Sequence, residues 1–423
     1  MATDEAPVYE FGNFRLEVGE RRLLRNGRPI PLTTKVFDTL SVLLERSGRL
    51  FTKDELMQRI WPDAVVEENN LSHNISVLRR ELGERSGGPR FIETVPRVGY
   101  RFVADVRQSG SAARPLPPHV PGASARTPRQ DIRFCTSTDG TRIAYSMVGT
   151  GPPLAKTANW LSHIEYEWDS PVWKHWAREI SRRHSLVRWD ERGCGLSDWT
   201  VDELSLDAWV RDQQTVVDAL GLGRFALLGI SQGGAVALAY AVQHPEHVSH
   251  LILCGAYTCG WRHRADPREL EARMALLNLT RLGWGQNNPA FRQLFTTRFI
   301  PDAGAAEMEW FNDLQRVSTS PENAARLMDT FSRLDVRPLL ADVKVPTLVL
   351  HSQHDGVVPF DEGRLLAAGI RGSTFVPLPS RNHLLLEHEP AWPIFLRELG
   401  AFLGWPDPGS RRSTRPRGTG AGT

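Results

Sequence analysis

Hydrophobic periodicity divides this chain into two predicted domains of unequal size. Short alternating stretches over 11–32 are followed by three runs whose apolar residues recur at helical spacing. From Ile132 onward, buried β-like runs alternate with helical ones, which is the pattern of a parallel sheet with crossover helices. At 107–131 and 406–423, Pro, Gly, Ser and Arg replace the apolar residues. We therefore expect domains at 1–106 and 132–405, a flexible linker between them and a disordered tail.

Three amphipathic helices are predicted in the N-terminal domain. The first carries an apolar face from Val36 to Leu44, and the second opens on the capping-box residues Thr52 and Glu55. In the third, NNLSHNISVLRRELG, leucine and isoleucine recur at i, i+4, i+7 and i+11 and form a single core stripe. The residues left outside that stripe mix hydrogen-bonding side chains with cations, as a major groove requires: Ser72, His73, Ser76, Val77, Arg79 and Arg80.

The segment FIETVPRVGYRFVADV alternates on both sides of a Pro-Arg-Val-Gly tip, which predicts a hairpin with a basic end. Together with NNLSHNISVLRREL, it makes residues 8–106 resemble the OmpR/PhoB-type winged-helix effector domain. The resemblance implies that the third helix enters the major groove of double-stranded promoter DNA. Ser76, Val77 and Arg79 would face the bases, and Arg97 of the wing would contact the minor groove. The periodicity alone also fits a solvated helix face.

Composition limits the classes of protein that remain. The 423 residues are 41% hydrophobic and 24% charged, as in globular domains, and no apolar run reaches the roughly 18 residues that span a bilayer. The first ten residues lack the basic and apolar regions of a secretory leader, so we expect a cytoplasmic protein without a membrane partner. A net charge of +2 requires any DNA binding to come from a local basic face. The four cysteines form no C-x-x-C pair, and we expect neither a metal site nor a cofactor.

A nucleophile is predicted in RFALLGISQGGAVALAYAVQHP. A buried strand runs through Gly-Ile-Ser-Gln-Gly into an alanine-rich helix, the context of a nucleophile elbow, which makes Ser231 the candidate nucleophile. A serine hydroxyl needs a general base, and the base needs an acid to fix its tautomer. Asp355 and His383 each follow a predicted strand, in the expected order, and we assign them as acid and base. His351, His354 and His388 are not assigned to the triad.

Residues 133–405 resemble the α/β-hydrolase family, whose D-x-R-G-x-G-x-S pattern matches WDERGCGLSD. The resemblance implies a helical lid over about 257–343, and the serine favours esters, lactones, thioesters or similar carbonyl substrates over epoxides and haloalkanes. Tryptophans of the loop on the oxyanion side are expected to line an apolar pocket: Trp160, Trp168, Trp173 and Trp176.

One position departs from that family. Where it usually has His-Gly, this chain has Ala158-Asn159. We expect the oxyanion hole to form from the amides of Trp160 and Gln232, with the Asn159 side chain assisting. The other interpretation is a sensor domain that binds its ligand without catalysis.

Three functions are consistent with this organisation. The first is a DNA-binding transcriptional regulator whose hydrolase domain binds a small apolar carbonyl ligand, either with or without hydrolysing it. The second is a serine esterase for which the DNA-binding domain is accessory, and the third is a structural platform. Because a flexible linker transmits strain poorly, ligand control is expected to act through association into a homodimer.

Overall fold

The computed structural model describes residues 7–30, 32, 34–61, 68–84, 90–95, 98–109, 130–284 and 289–405. It divides into two compact units, Met1–Arg126 and Thr127–Thr423. The predicted disordered tail, 406–423, and most of the predicted linker lie outside the described residues. Among the described residues, no helix is both long enough and apolar enough to cross a membrane.

In its described residues, the N-terminal unit combines two antiparallel sheets with three helices. Its elements in chain order are β1 (Val8–Phe11), β2 (Phe14–Glu17), β3 (Arg22–Arg25), β4 (Arg28–Ile30), α1 (Thr34–Glu45), β5 (Leu50–Thr52), α2 (Lys53–Ile60), α3 (Glu68–Glu81), β6 (Ile92–Val95), β7 (Gly99–Phe102) and β8 (Arg107–Ser109). One sheet has the order β4-β3-β2-β1-β8 and the other β5-β7-β6. Strands β6 and β7 form the predicted hairpin. The predicted winged-helix arrangement is confirmed.

The predicted helix faces are buried as the periodicity indicated. Leu40, Leu71 and Leu78 are each 0% exposed and belong to one core. Helix α2 begins with the predicted capping box, in which the Glu55 amide donates to Thr52 Oγ1 at 3.1 Å and the Thr52 amide donates to Glu55 Oε2 at 3.0 Å. Reciprocal capping satisfies two amides that the helix itself leaves unpaired.

The predicted start of the linker, at residue 107, is wrong. Arg107–Ser109 is a strand whose residues pair antiparallel with those of β1, from Val8 opposite Ser109 to Glu10 opposite Arg107. The composition signal missed this strand because a three-residue edge strand gains its stability from backbone pairing and needs no apolar period of its own.

The C-terminal unit is built on a sheet whose eight described strands have the order β16-β15-β14-β13-β11-β12-β10-β9. The strands are β9 (Ile132–Thr136), β10 (Arg142–Val148), β11 (Pro153–Lys156), β12 (Ser185–Trp189), β13 (Phe225–Ile230), β14 (Val248–Cys254), β15 (Thr347–Ser352) and β16 (Thr374–Leu378). Strand β10 pairs antiparallel with β9 and β12, whereas β12, β11, β13, β14, β15 and β16 are parallel neighbours. The carboxyl ends of these six strands therefore meet at one edge, where α/β folds place their ligands.

Helices cover this sheet and its carboxyl edge. They are α4 (Ile164–Glu167), α5 (Lys174–Ser181), α6 (Leu206–Ala219), α7 (Gln232–Gln243), α8 (Trp261–Arg264), α9 (Pro267–Gly283), α10 (Pro289–Phe299), α11 (Ala305–Ser318), α12 (Pro321–Arg333), α13 (Phe360–Gly369) and α14 (Ala391–Phe402), with a 3-10 helix at Arg337–Asp342. Helices α8 to α12 lie between β14 and β15 in the chain, within the segment predicted as a lid. They bury aromatic side chains in the core of this unit, among them Trp284, Phe295 and Phe311.

Candidate active site and DNA-binding face

Ser231 occupies a strained turn between β13 and α7. Its φ of 54° and ψ of −125° lie in a region that residues other than glycine seldom adopt. The flanking glycines are required by space, because a Cβ at Gly229 would lie 2.6 Å from the Gly234 Cα, and one at Gly233 would lie 2.8 Å from the Ala158 carbonyl oxygen. The turn therefore has the geometry of a nucleophile elbow.

His383 and Asp355 are hydrogen-bonded to each other. The His383 Nδ1 lies 2.6 Å from the Asp355 Oδ2, and both side chains are 0% exposed. The other carboxylate oxygen, Oδ1, accepts hydrogen bonds from the amides of Val357 at 2.7 Å and Val358 at 3.0 Å. Burial raises the pKa of Asp355, but the charge and hydrogen bond of His383 outweigh burial and leave that pKa below its ordinary value. An ionised Asp355 fixes the imidazole with its proton on Nδ1 and its lone pair on Nε2.

The lone-pair nitrogen of His383 is available. Among the described residues, its Nε2 is buried and has no hydrogen-bond partner. Ser231 and His383 line the same small cavity, which holds about 310 Å³ of empty space. The His383 amide donates to the Phe299 carbonyl oxygen at 2.8 Å, so the loop that carries the base is bonded to α10 of the lid.

Two of the histidines that were not assigned to the triad make other contacts. His351 Nε2 lies 3.1 Å from the Val358 carbonyl oxygen and 3.8 Å from the Asp355 Oδ2, and burial lowers its pKa. His388 is 57% exposed and its Nδ1 lies 3.3 Å from Glu307. His383 is thus the one of these histidines that lines a cavity with Ser231.

The two residues expected to supply the oxyanion hole are in contact, through a bond that the sequence did not predict. The Trp160 amide donates to the Gln232 side-chain oxygen at 3.4 Å, a long bond that a developing oxyanion can replace. Gln232 is the first residue of α7, where helix amides have no intrahelical partner. The Asn159 side chain, which was expected to assist, is bonded within its own loop: Lys156 donates to its Oδ1 at 2.6 Å, and its Nδ2 donates to the Trp160 carbonyl at 2.9 Å.

Buried polar residues hold the loop that carries Trp160. Asp190, from the DERGCG segment, accepts hydrogen bonds from the amides of Ile164 at 2.9 Å and Leu196 at 2.8 Å. The Glu191 amide donates to Ser162 Oγ at 3.1 Å. Burial raises the pKa of Asp190 to about 7 and that of Glu191 to about 8, and it lowers the pKa of Lys156 to about 8. These residues fix the candidate oxyanion loop.

Two cavities meet at Ser231. The larger contains about 700 Å³ of empty space, its open mouth included, and extends beneath α8, α9 and α10. The smaller adjoins His383 and Leu384. Trp160 lines both cavities and Trp173 lines the smaller one, as predicted.

Two of the predicted pocket tryptophans are elsewhere. Trp176 packs between Trp392 and Phe395, with ring centroids 5.0 Å and 4.6 Å away, and Trp168 lies under the Arg188 guanidinium at 5.3 Å. Helical periodicity does not distinguish a tryptophan in the core from one in a cavity wall.

The residues of α3 that were predicted to contact DNA differ in their exposure. Ser76 and Arg80 are exposed, and the Ser76 hydroxyl donates to the Ser72 carbonyl at 2.9 Å. Ser72 lies beneath, with its Oγ 3.3 Å from the Tyr100 hydroxyl, and Val77 packs against the core. The wing residue Arg97 and the His73 side chain lie outside the described residues.

Arg79 does not stand free on the outer face of α3, as the helical spacing predicted. Its Nη2 donates to the Ile92 carbonyl at 2.9 Å and to Thr94 Oγ1 at 2.7 Å, and its Nε lies 3.4 Å from Glu84 Oε2. Glu84 in turn accepts from the amides of Phe91 and Ile92 at 2.6 and 2.7 Å. This arginine fastens α3 to the first strand of the hairpin, a tertiary contact that spacing within one helix cannot reveal.

Within the described residues, one cluster combines three side chains of metal-ligand type. Ligand atoms of His244, Glu246 and His247 lie within 4.8 Å of one another. His244 caps the C-terminus of α7, whereas Ser231 caps its N-terminus, so this cluster is separate from the candidate active site.

Comparison with known proteins matches each unit to a different family. Residues 27–102 match the family described as "Transcriptional regulatory protein, C terminal", and residues 166–309 match the alpha/beta hydrolase fold. The second match includes Ser231 but ends before Asp355 and His383, whose roles rest on the geometry above.

Individual relatives align with the C-terminal unit. A 2-hydroxy-6-oxononadienedioate/2-hydroxy-6-oxononatrienedioate hydrolase of Klebsiella pneumoniae is 30% identical over 253 residues, which are 59% of this chain and 82% of that protein. The AB hydrolase superfamily protein YisY of Bacillus subtilis is 29% identical over 252 residues, which are 56% of this chain and 86% of that protein. An esterase structure from Exiguobacterium antarcticum superposes with a TM-score of 0.55 at 25% identity, covering 64% of this chain and 98% of the esterase.

These matches agree with the two folds described above. The chain belongs to the α/β-hydrolase family, and its hydrolase domain follows an N-terminal DNA-binding domain of the transcriptional-regulator type.

Proposed function

We propose that this protein is a transcriptional regulator whose hydrolase domain binds and hydrolyses a small carbonyl compound of the ester or lactone type. The observation that carries the proposal is the buried His383–Asp355 pair, 2.6 Å apart, whose unpartnered Nε2 borders the same cavity as Ser231. A buried imidazole held by a carboxylate, with its second nitrogen open to a cavity, is the arrangement that general-base catalysis requires.

The reaction uses these groups in two halves. His383 Nε2 takes the Ser231 hydroxyl proton as Oγ bonds to the substrate carbonyl carbon, and the amides of Trp160 and Gln232 donate to the resulting oxyanion. The bond to the leaving oxygen then breaks as His383 returns the proton to that atom. In the second half, a water molecule loses a proton to His383 and its oxygen bonds to the acyl carbon. The bond from that carbon to Ser231 Oγ then breaks as His383 returns the proton to Oγ, and the acid is released.

The DNA contact would be made by α3 and the hairpin. Ser76 and Arg80 are the exposed members of the proposed contact set, with Ser72 and Val77 partly buried beneath them. We also propose that Arg97, in the wing, contacts the minor groove. Since one helix of this size neutralises few phosphates, we propose that two copies bind adjacent half-sites as a homodimer.

A second function is favoured by the comparisons. The relatives named above as hydrolases match 56% and 59% of this chain, so a serine esterase with an accessory DNA-binding domain fits the same geometry. The two functions differ in one respect: only a regulator changes its promoter occupancy when the hydrolase site is filled.

One experiment tests the proposal. Hydrolysis of p-nitrophenyl butyrate is measured for the wild type, Ser231→Ala and His383→Ala, and promoter binding of each is followed by mobility shift with and without substrate. We expect hydrolysis by the wild type alone and substrate-dependent DNA binding. Hydrolysis without any effect on DNA binding supports the esterase function, and DNA binding without hydrolysis supports a sensor.

A further inference from the structure

The larger cavity is lined by three arginines from three different lid helices. Arg264 ends α8, Arg273 lies in α9 and Arg298 lies in α10. No aspartate or glutamate is among the described residues that line this cavity. The space beside Ser231 is therefore cationic although it lies in an otherwise apolar lid.

Only one of these arginines has a carboxylate partner among the described residues. Arg273 pairs with Glu269, its Nη2 2.9 Å from Oε1, and also donates to the Val357 carbonyl at 3.1 Å. Arg298 has a single long hydrogen bond, 3.4 Å to the Gly356 carbonyl, and forms no ion pair with a described residue. Arg264 donates to the Cys259 carbonyl oxygen, while its buried Nε has no described partner.

Burial makes this arrangement costly without a counter-ion. Burial, together with the positive charge of Arg273, lowers the pKa of Arg298 to about 10, although the charges of Glu269 and Asp355 act in the opposite direction. Burial likewise lowers the pKa of Arg273. Cations withdrawn from water are stabilised when an anion enters and accepts their N–H groups, and the planar guanidinium fork matches a carboxylate.

We propose that the substrates and ligands of this site carry a carboxylate, which binds to Arg298 and its neighbours while the scissile carbonyl lies at Ser231. The ester part of this inference rests on the proposed function. Apart from the arginines, the lining of the larger cavity is mainly apolar and includes Trp160, Leu276, Phe295 and Phe331. The ligand is therefore a hydrocarbon chain with an acid at one end and an ester or lactone carbonyl at the other.

The smaller cavity receives the leaving group. His383, which must protonate the departing oxygen, lines this cavity and is absent from the lining of the larger one. The rest of the lining is mainly apolar, with Trp173, Phe311 and Leu314. A small uncharged alcohol fits this lining, so the substrate class is the half-ester of a dicarboxylic acid.

A pair of esters of matched length tests the inference. The kcat/KM of monoethyl adipate is compared with that of ethyl hexanoate for the wild type, Arg298→Gln and Arg268→Gln. Arg268 is an exposed arginine of the same lid helix as Arg273 and does not line the cavity, which makes its substitution the matched control. We expect the wild type to prefer the half-ester, and Arg298→Gln to reduce that preference by about 10- to 100-fold, the value of a charge-assisted hydrogen bond. Arg268→Gln should leave the preference unchanged.

A binding measurement separates this inference from the proposed function. Adipate is titrated into Ser231→Ala and into the double variant Ser231→Ala/Arg298→Gln, and the fluorescence of the cavity tryptophans is followed. Saturable binding that is lost in the double variant supports the carboxylate site even if no ester is hydrolysed. Adipate binding that is absent, or equal in both variants, overturns it, as does a wild type that prefers the neutral ester.

Discussion

Asp355→Asn is expected to inactivate the site by reversing the tautomer of His383. Asp355 Oδ1 accepts from two backbone amides, at 2.7 and 3.0 Å, so the oxygen of an asparagine must occupy the same position. Its NH₂ group would then face His383 Nδ1, which in the native protein lies 2.6 Å from Oδ2. Because two donors cannot share that contact, Nδ1 becomes an acceptor and the proton moves to Nε2, which can no longer take a proton from Ser231.

The size of this effect follows from the role of the base. Loss of the correct tautomer in a serine triad costs about 10⁴-fold in kcat, or roughly 5.5 kcal/mol. We expect that loss for Asp355→Asn in p-nitrophenyl butyrate hydrolysis, with the unfolding transition of the variant retained. His354→Gln, at the exposed neighbouring position, is the control and should keep wild-type activity. A loss smaller than about tenfold for Asp355→Asn would refute the reasoning about the tautomer.

Three further predictions concern stability and DNA binding. Burial raises the pKa of Glu191 from 4.5 to about 8, so the folded protein keeps a proton that the unfolded chain loses, and stability should fall as pH rises through that window. Glu191→Gln should remove this dependence, so that its melting temperature exceeds that of the wild type more at pH 8 than at pH 5. Gly233→Ala should lower the free energy of unfolding in urea by about 1–3 kcal/mol, since its Cβ must displace the Ala158 carbonyl; an unchanged midpoint would contradict the close approach. Arg79→Ala should destabilise the N-terminal domain by about 1–2 kcal/mol through loss of its bonds to Ile92 and Thr94, whereas Arg80→Ala should weaken promoter binding and reduce its salt dependence without changing the melt. If Arg79→Ala instead weakens promoter binding without changing the melt, Arg79 contacts a base as the sequence predicted.

The sequence predicted most of the secondary-structure elements because they depend on local patterns. Apolar residues at helical spacing mark the buried faces of α1 and α3, and the Gly-x-Ser-x-Gly turn is dictated by the absence of space for a Cβ at Gly229 and Gly233. Asp355 and His383 could be selected because residues that follow parallel strands meet at one edge of a sheet.

What the sequence could not predict depends on contacts between distant segments. Arg298 and Arg273 look like ordinary surface charges of lid helices, and only the packing of α9 and α10 over Ser231 makes them cavity residues. Arg79 has the spacing of an outward residue, yet its side chain forms an ion pair with Glu84 and a hydrogen bond to the hairpin. The side chain of Asn159 is held by Lys156, a buried cation whose position the periodicity does not reveal.

The central claim is that Ser231 is a nucleophile activated by His383. Its most direct test is to treat the full-length protein with a fluorophosphonate and locate the adduct by peptide mass spectrometry. The account predicts a single adduct on Ser231, none in Ser231→Ala and a strongly slowed reaction in His383→Ala. A wild-type protein that forms no adduct, or one labelled equally fast without His383, would contradict it.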